Sequence, residues 1–140
     1  MTAHSAPAEF GVYFGSFAEA SYGLWWDGEG LVYEAFVAGY RDLDLLRLSP
    51  SEAQWRRFWR TMDAIDVWRW SARYDAGARF EPAEQTRDGT HWSLTLAHAG
   101  RRVESSGDNS GPGAVDLDES SAFAGFLEAV SRLIGGRPFS

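Results

Sequence analysis

The chain has 140 residues, a formal net charge of −7, and 21 aromatic side chains made up of seven Trp, five Tyr and nine Phe. This length suits one domain of ordinary size, and a composition of 44% hydrophobic and 24% charged residues is typical of a folded globular protein. The negative charge disfavours nucleic acids and anionic membrane surfaces, because both repel an acidic protein.

The chain has no cysteine, which excludes disulfides and thiolate metal sites. Residues 1–9 show neither the basic start nor the apolar run of a signal peptide, so we expect a cytoplasmic protein with no membrane partner. All 13 cationic side chains are arginine, and alanine and glycine are abundant, which indicates a GC-rich bacterial source.

A β-meander is predicted after a flexible tail over residues 1–9. Runs of apolar and aromatic residues at 10–17, 22–26 and 31–37 lack helical spacing. The Asp27-Gly28 pair between the last two runs favours a tight hairpin, because glycine readily adopts a positive φ. We therefore expect three consecutive antiparallel strands.

The first helix is predicted to follow an edge strand or a bulge at 42–48, where the alternation of residue types is lost. Ser49 would be the N-cap, Pro50 the first helical residue, and Glu52 the residue that closes a capping box. The apolar residues that follow recur at helical spacing and should form a buried stripe: Trp55, Phe58, Trp59, Met62 and Ile65.

Residues 67–74 are predicted to form a strand that carries Trp68, Trp70 and Tyr74 on one side, because these residues share the same alternation. The next segment, 75–87, combines glycine, proline and charges, and it is predicted to be a long loop.

Two further strands and a closing helix complete the prediction. Residues 92–96 alternate as a half-buried strand does, and the chain reverses at Ala99-Gly100 into a strand over 101–106. An amphipathic pattern over about 118–134, ended by Gly135-Gly136, predicts the last helix.

The fold class expected from these elements is a single α+β domain over residues 10–136, followed by a short tail at 137–140. Short turns between successive strands favour a mainly antiparallel sheet of about six strands. Two amphipathic helices would pack on this sheet.

The loop before the last helix partly matches a calcium-binding loop. Asp108, Ser110, Asp116 and Glu119 occupy spacings at which such loops place oxygen ligands, but Pro112 stands where another ligand is needed. The alternative is that the acidic residues cap the last helix and complement its dipole. We predict no metal and no other cofactor.

Several fragments together resemble a family of small uncharacterised bacterial proteins. These proteins share an Asp-Gly-x-x-Trp strand, a Gly-x-Asn-x-x-Pro loop and a terminal amphipathic helix. The matching residues are Trp68-Arg69-Trp70 with Tyr74, the segment from Asp88 to Leu94, the loop from Gly107 to Pro112, and the helix stripe from Phe123. The likeness covers roughly residues 55–134, and it implies a fold but no particular activity.

The functional expectation depends on two features: more aromatic residues than one small core needs, and no nucleophile paired with a base. We expect a non-enzymatic domain that binds a protein or peptide partner. An immunity- or antitoxin-like inhibitor of a basic effector is one form of this function, because opposite charges favour such a complex. The candidate binding residues are Trp68, Trp70, Tyr74, Trp92, Asp108 and Asn109, and the tryptophans without an assigned structural role are Trp25, Trp26, Trp68 and Trp70.

Two alternatives stay open. One is a small-ligand-binding protein or an enzyme that uses a cleft near Asp108 and Asn109. The other is a homodimeric structural subunit joined through exposed aromatic side chains. Burial of all seven tryptophans would remove the reason for the partner-binding expectation, and a burial-shifted carboxylate in a closed pocket would favour the ligand or enzyme alternative. Light scattering that gives a monomer across concentrations would reject the homodimer.

Overall fold

A computed structural model describes residues 5–16, 20–36, 42–75, 90–114 and 117–139. The described residues confirm an α+β domain with a mostly antiparallel sheet, although the sheet has seven strands where about six were predicted. The elements in chain order are β1 (Glu9–Ser16), β2 (Ser21–Trp26), β3 (Leu31–Phe36), β4 (Asp42–Leu48), α1 (Glu52–Ala64), β5 (Arg73–Asp75), β6 (Thr90–His98), β7 (Arg101–Asp108) and α2 (Ser121–Leu133).

The strands are arranged in the order β4-β3-β2-β1-β6-β7-β5. Strand β1 lies at the centre, where Val12 is paired with Leu24 of β2 on one side and with Leu94 of β6 on the other. Among the described strands, only the short strand β5 pairs in parallel, and its partner is β7. The predicted edge strand at 42–48 is confirmed, and the pairing register shifts beside it between Ala35 and Phe36 of β3.

The β2–β3 hairpin has the predicted turn at Asp27-Gly28. Gly28 has a φ of 102°, and the Asp27 carboxylate accepts hydrogen bonds of 2.9 Å from the backbone N–H groups of Glu29 and Gly30. These two hydrogen bonds lower the pKa of Asp27, because they stabilise its ionised form. The turn therefore sets the register in which β2 and β3 pair.

Both helices pack on the same face of the sheet. Trp55 of α1 lies with its ring centroid 5.7 Å from that of Phe10 on β1, and Phe123 of α2 lies 4.7 Å from Trp92 on β6. Side chains on a strand alternate between the two faces, so the neighbours of Phe10 and Trp92 in sequence lie on the face opposite the helices.

Helix α1 begins two residues later than predicted, and Ser51, not Ser49, is its N-cap. The Ser51 hydroxyl accepts a hydrogen bond of 3.1 Å from the Gln54 N–H, and the Gln54 side chain accepts one of 2.8 Å from the Ser51 N–H. Gln54 therefore closes the capping box in place of Glu52. The predicted apolar stripe is confirmed, since its first four members are buried.

The strand predicted at 67–74 is wrong over most of its length. Residues Val67–Arg69 form a 3-10 turn, and only Arg73–Asp75 join the sheet. Asp66 precedes the turn with a φ of 56°, so the chain turns sharply after α1 and the alternation is lost. Residues 76–89, which hold most of the predicted loop, lie outside the described residues.

Helix α2 also begins later than predicted, because Leu117–Glu119 form a separate 3-10 turn and Ser120 is the N-cap. The Ser120 hydroxyl accepts a hydrogen bond from the Phe123 N–H and donates one of 2.5 Å to the Pro112 carbonyl. A buried serine therefore caps the helix and ties it to the preceding loop.

Residues near both ends, which we predict to lie in tails, make specific contacts. The Ser5 hydroxyl donates to the Glu52 carboxylate over 2.9 Å, and the Trp59 indole N–H donates to the Ser5 carbonyl over 2.5 Å. Near the other end, the Tyr33 hydroxyl donates to the Pro138 carbonyl over 2.7 Å. Both segments thereby pack against the domain.

Candidate functional site

Three of the predicted binding residues, Trp70, Trp92 and Tyr74, come together in space. Trp92 is 3% exposed and Trp70 is 9% exposed, and the Trp92 ring centroid lies 6.0 Å from those of both Trp70 and Tyr74. The Trp92 indole N–H donates to the Ser110 carbonyl over 2.9 Å. These rings meet around a buried indole, so they pack the end of the core where α2 contacts the sheet.

Trp68 lies apart from those rings, at the end of α1. It stacks on Trp59 with centroids 6.0 Å apart, and the Arg101 guanidinium lies 4.6 Å above its ring. Its indole N–H donates to Asp63 over 2.9 Å. This hydrogen bond, together with Arg101, lowers the pKa of the Asp63 carboxyl group.

Asp108 and Asn109 lie at the end of β7, and both side chains are engaged within the fold. Arg73 and His91 each contact a different carboxylate oxygen of Asp108. The Asn109 side-chain carbonyl accepts a hydrogen bond of 2.8 Å from the Thr90 N–H, and the Asn109 N–H donates one of 2.8 Å to the Thr90 carbonyl. Asn109 has a φ of 56°, and it therefore fastens the loop to the start of β6.

We expect Asn109→Ala to lower the free energy of unfolding by about 1–2 kcal/mol, since it leaves the Thr90 N–H without its acceptor and disfavours the positive φ. Asn109→Gly should cost less, because glycine tolerates that φ and only the hydrogen bond is lost. Urea denaturation of the three proteins measures both differences. Equal stability of all three would show that the amide has no fastening role.

Three of the four calcium-loop residues, Asp108, Ser110 and Glu119, lie in the part of the chain that the structure describes. The Ser110 hydroxyl is buried and donates to the Ala114 carbonyl over 3.2 Å, while Glu119 is exposed on the 3-10 turn before α2. Asp116 lies outside the described residues. Among the described residues, no group of three or more His, Cys, Asp or Glu could hold a metal ion.

The large apolar side chains that the structure does expose lie on the face of the sheet opposite the helices. Tyr13 on β1 is 37% exposed, Trp25 on β2 is 39% exposed, and Leu45 on β4 is 57% exposed. Their partners in the strand pairing, which include Gly23 for Tyr13 and Glu34 for Leu45, lie on the same face. We call this surface the open face.

A shallow depression of about 390 Å³ lies on the open face. Gly11 forms part of its floor, since a Cβ at that position would have no atom within 4 Å. The Trp25 ring extends over Gly23 of its own strand, where a Cβ would lie 3.4 Å from the ring. The side chains around the depression are those of Tyr13, Trp25, Glu34, Phe36, Ser93 and Thr95.

Two arginines flank the depression, and each is held by two carboxylates. Arg102 donates to Glu9 over 2.9 Å and to Glu104 over 2.5 Å, and this pairing lowers the pKa of Glu9. Arg47 lies 2.7 Å from Asp27 and 3.4 Å from Glu29. Each cluster therefore has one positive and two negative groups, so both clusters are acidic.

No protein family, curated protein or solved structure matches this chain. Among the described residues, no helix is long and apolar enough to cross a membrane. Function must therefore be inferred from the surfaces that the fold exposes.

Several residues of the open face were not predicted as candidates, namely Tyr13, Glu34 and Phe36, and Trp25 was singled out only as an aromatic without a structural role. The alternation Gly11-Val12-Tyr13-Phe14-Gly15 carries a signal that could have found the face. Both sides of this strand bear aromatic residues, but glycines occur only on the side of Tyr13.

Proposed function

We propose that this protein is a non-enzymatic domain that binds a protein or peptide partner through its open face. One observation carries the proposal: Tyr13, Trp25 and Leu45, the exposed large apolar side chains of the described residues, all lie on this face. Grouped exposed apolar residues are typical of interaction surfaces. Tryptophan and tyrosine are also enriched among the residues that contribute most to binding energy.

The charge of the open face favours a basic partner. Glu34 lies at the depression, and the two flanking clusters each contain more acid than base. Two copies of the chain joined through this face would bring like charges together, so an unlike partner is favoured over a homodimer. An immunity- or antitoxin-like inhibitor that neutralises a basic effector is consistent with this arrangement.

The alternative of a small-ligand site near Asp108 and Asn109 has little support, because both side chains already have partners within the fold. The carboxylate of Asp108 is held by Arg73 and His91, and the amide carbonyl of Asn109 is held by Thr90. A ligand at this position would have to replace contacts that already join β5, β6 and β7.

Selection from a randomised displayed-peptide library against the immobilised protein tests the proposal. We expect selected peptides to bind Trp25→Ala about tenfold or more weakly than the natural protein, because a central exposed tryptophan contributes strongly to binding. Arg57→Ala is the matched control, since Arg57 is an exposed residue on α1. Its affinity should equal that of the natural protein.

Two results would contradict the proposal. One is the absence of any enriched peptide; the other is a set of peptides whose affinity falls with Arg57→Ala and is unchanged by Trp25→Ala. Thermal melting of both variants shows whether a change in affinity reflects the surface or the fold.

A further inference from the structure

We propose that the depression on the open face receives a cationic side chain, arginine or lysine, from the partner; this inference rests on the proposed function. The composition of the depression is the first observation that supports it. Three aromatic residues, Tyr13, Trp25 and Phe36, line the depression together with Glu34. Among the described residues that line the depression, none is Arg, Lys or His, and Glu34 places a carboxylate there.

The placement of the rings is the second observation. Trp25 extends over Gly23, and a Cβ on Gly15 would collide with the Tyr13 hydroxyl, so each ring follows the sheet surface along its own strand. The rings still remain 39% and 37% exposed, respectively. Aromatic faces that stay accessible in this way attract cations through their quadrupole, and tryptophan does so most strongly.

The floor of the depression gives a cation room to approach. No atom lies within 4 Å of the position that a Cβ on Gly11 would take, and Gly11 is paired with both Trp25 and Thr95. The hydroxyls of Ser93 and Thr95 line the side of the depression formed by β6. Hydroxyl oxygens accept hydrogen bonds, so they suit the N–H groups of a guanidinium or ammonium ion.

The charges around the depression select against an anionic occupant and, together with the accessible rings, favour a cationic one. An anionic side chain would meet Glu34 and the acidic clusters around Arg47 and Arg102. Arg47 and Arg102, which flank the depression, are held in ion pairs by carboxylates that do not line it. The chemical class recognised is therefore a guanidinium or a primary ammonium group.

Nuclear magnetic resonance titration tests the inference with the probe acetyl-Gly-Arg-Gly-Arg-Gly-amide. The signal of the Trp25 indole N–H, assigned with Trp25→Phe, should shift on titration, and added salt should weaken the effect. The same peptide with glutamine in place of both arginines is the matched control and should leave the signal in place.

Variants of the depression make the test specific. Glu34→Gln should weaken binding of the arginine peptide about threefold to fivefold, as expected for loss of one partly exposed carboxylate. Glu128→Gln removes an exposed carboxylate from α2 and should have no effect. Gly11→Val should abolish the shift at Trp25 by filling the floor, where the structure leaves space around an added Cβ.

Equal shifts with the glutamine peptide, an arginine response that survives Gly11→Val, or shifts confined to other tryptophans would overturn the inference. These results separate the inference from the proposed function. If library peptides depend on Trp25 but lack Arg and Lys, the proposed function stands and the cation inference fails. If binding does not depend on Trp25 at all, both fail.

Discussion

Replacing Trp55 by alanine should lower the free energy of unfolding by about 3–5 kcal/mol, the range typical of removing a large aromatic side chain from a packed core. Trp55 is 2% exposed, and its ring meets four other rings in the layer between α1 and the sheet. Centroid distances are 5.7 Å to Phe10, 5.8 Å to Trp26, 6.2 Å to Phe58 and 5.9 Å to Trp59. No other side chain can fill this volume without moving several neighbours.

Trp25→Ala is the matched control, and it should change the free energy of unfolding by less than about 1 kcal/mol. Trp25 packs along its own strand and remains exposed, so most of its surface is not part of the core. Urea denaturation followed by far-ultraviolet circular dichroism compares both variants with the natural protein. Similar losses for the two variants would show that Trp25 has a structural role and would remove the main reason to assign it to binding.

Gly107→Ala should lower the free energy of unfolding by about 3 kcal/mol, near the upper end for inserting atoms into a packed interior. A Cβ at this position would lie 2.5 Å from the Ser110 carbonyl oxygen and would collide with the indole nitrogen of Trp92. These two atoms form the buried hydrogen bond that joins β6 to the loop after β7. The added methyl group therefore strains the backbone and a hydrogen bond together.

Gly11→Ala provides the comparison within the same sheet. Both glycines lie in strands, but a Cβ on Gly11 would have no neighbour within 4 Å. We expect a change within about 0.5 kcal/mol, as for most surface substitutions. Equal stability of the two alanine variants would contradict this expectation. It would show that close packing at Gly107 contributes little to the stability of the fold.

Much of the fold could be predicted because local patterns and tertiary packing agree. The alternation around Trp92 and Leu94 and the Asp27-Gly28 turn identified strands correctly, since each pattern has a direct local cause in backbone geometry. The stripe of α1 was equally clear. The edge position of β4 also followed from its broken alternation.

The predictions that failed lie where the sequence allows two alternative local structures. Ser49 and Ser51 can each begin a helix, and only the reciprocal bonds with Gln54 select Ser51. The alternation of Trp68 and Trp70 resembles a strand, yet the left-handed conformation of Asp66 turns the chain into a 3-10 turn. In both cases the deciding feature lies within a few residues, but the residue pattern alone fits either structure.

The candidate site was harder to predict for a different reason. Strand β1 carries Phe10 and Phe14 on one side and Tyr13 on the other, so hydrophobicity alone does not say which side the helices cover. The sequence pattern suits Trp70 and Trp92 both to a binding wall and to a core. The packing of α2 decides that both are buried, and it leaves Trp25 as the exposed tryptophan of the described chain.

The most direct test of partner binding through the open face is photo-crosslinking in the cells from which the chain originates. A photoreactive benzoylphenylalanine would replace Trp25 in one variant and Arg57 in another. The open-face proposal predicts a discrete covalent adduct from position 25 and none from position 57, with a captured protein that, once purified, binds Trp25→Ala about tenfold more weakly. No adduct from position 25, or an adduct from position 57 alone, would contradict the assignment of the open face as the binding surface.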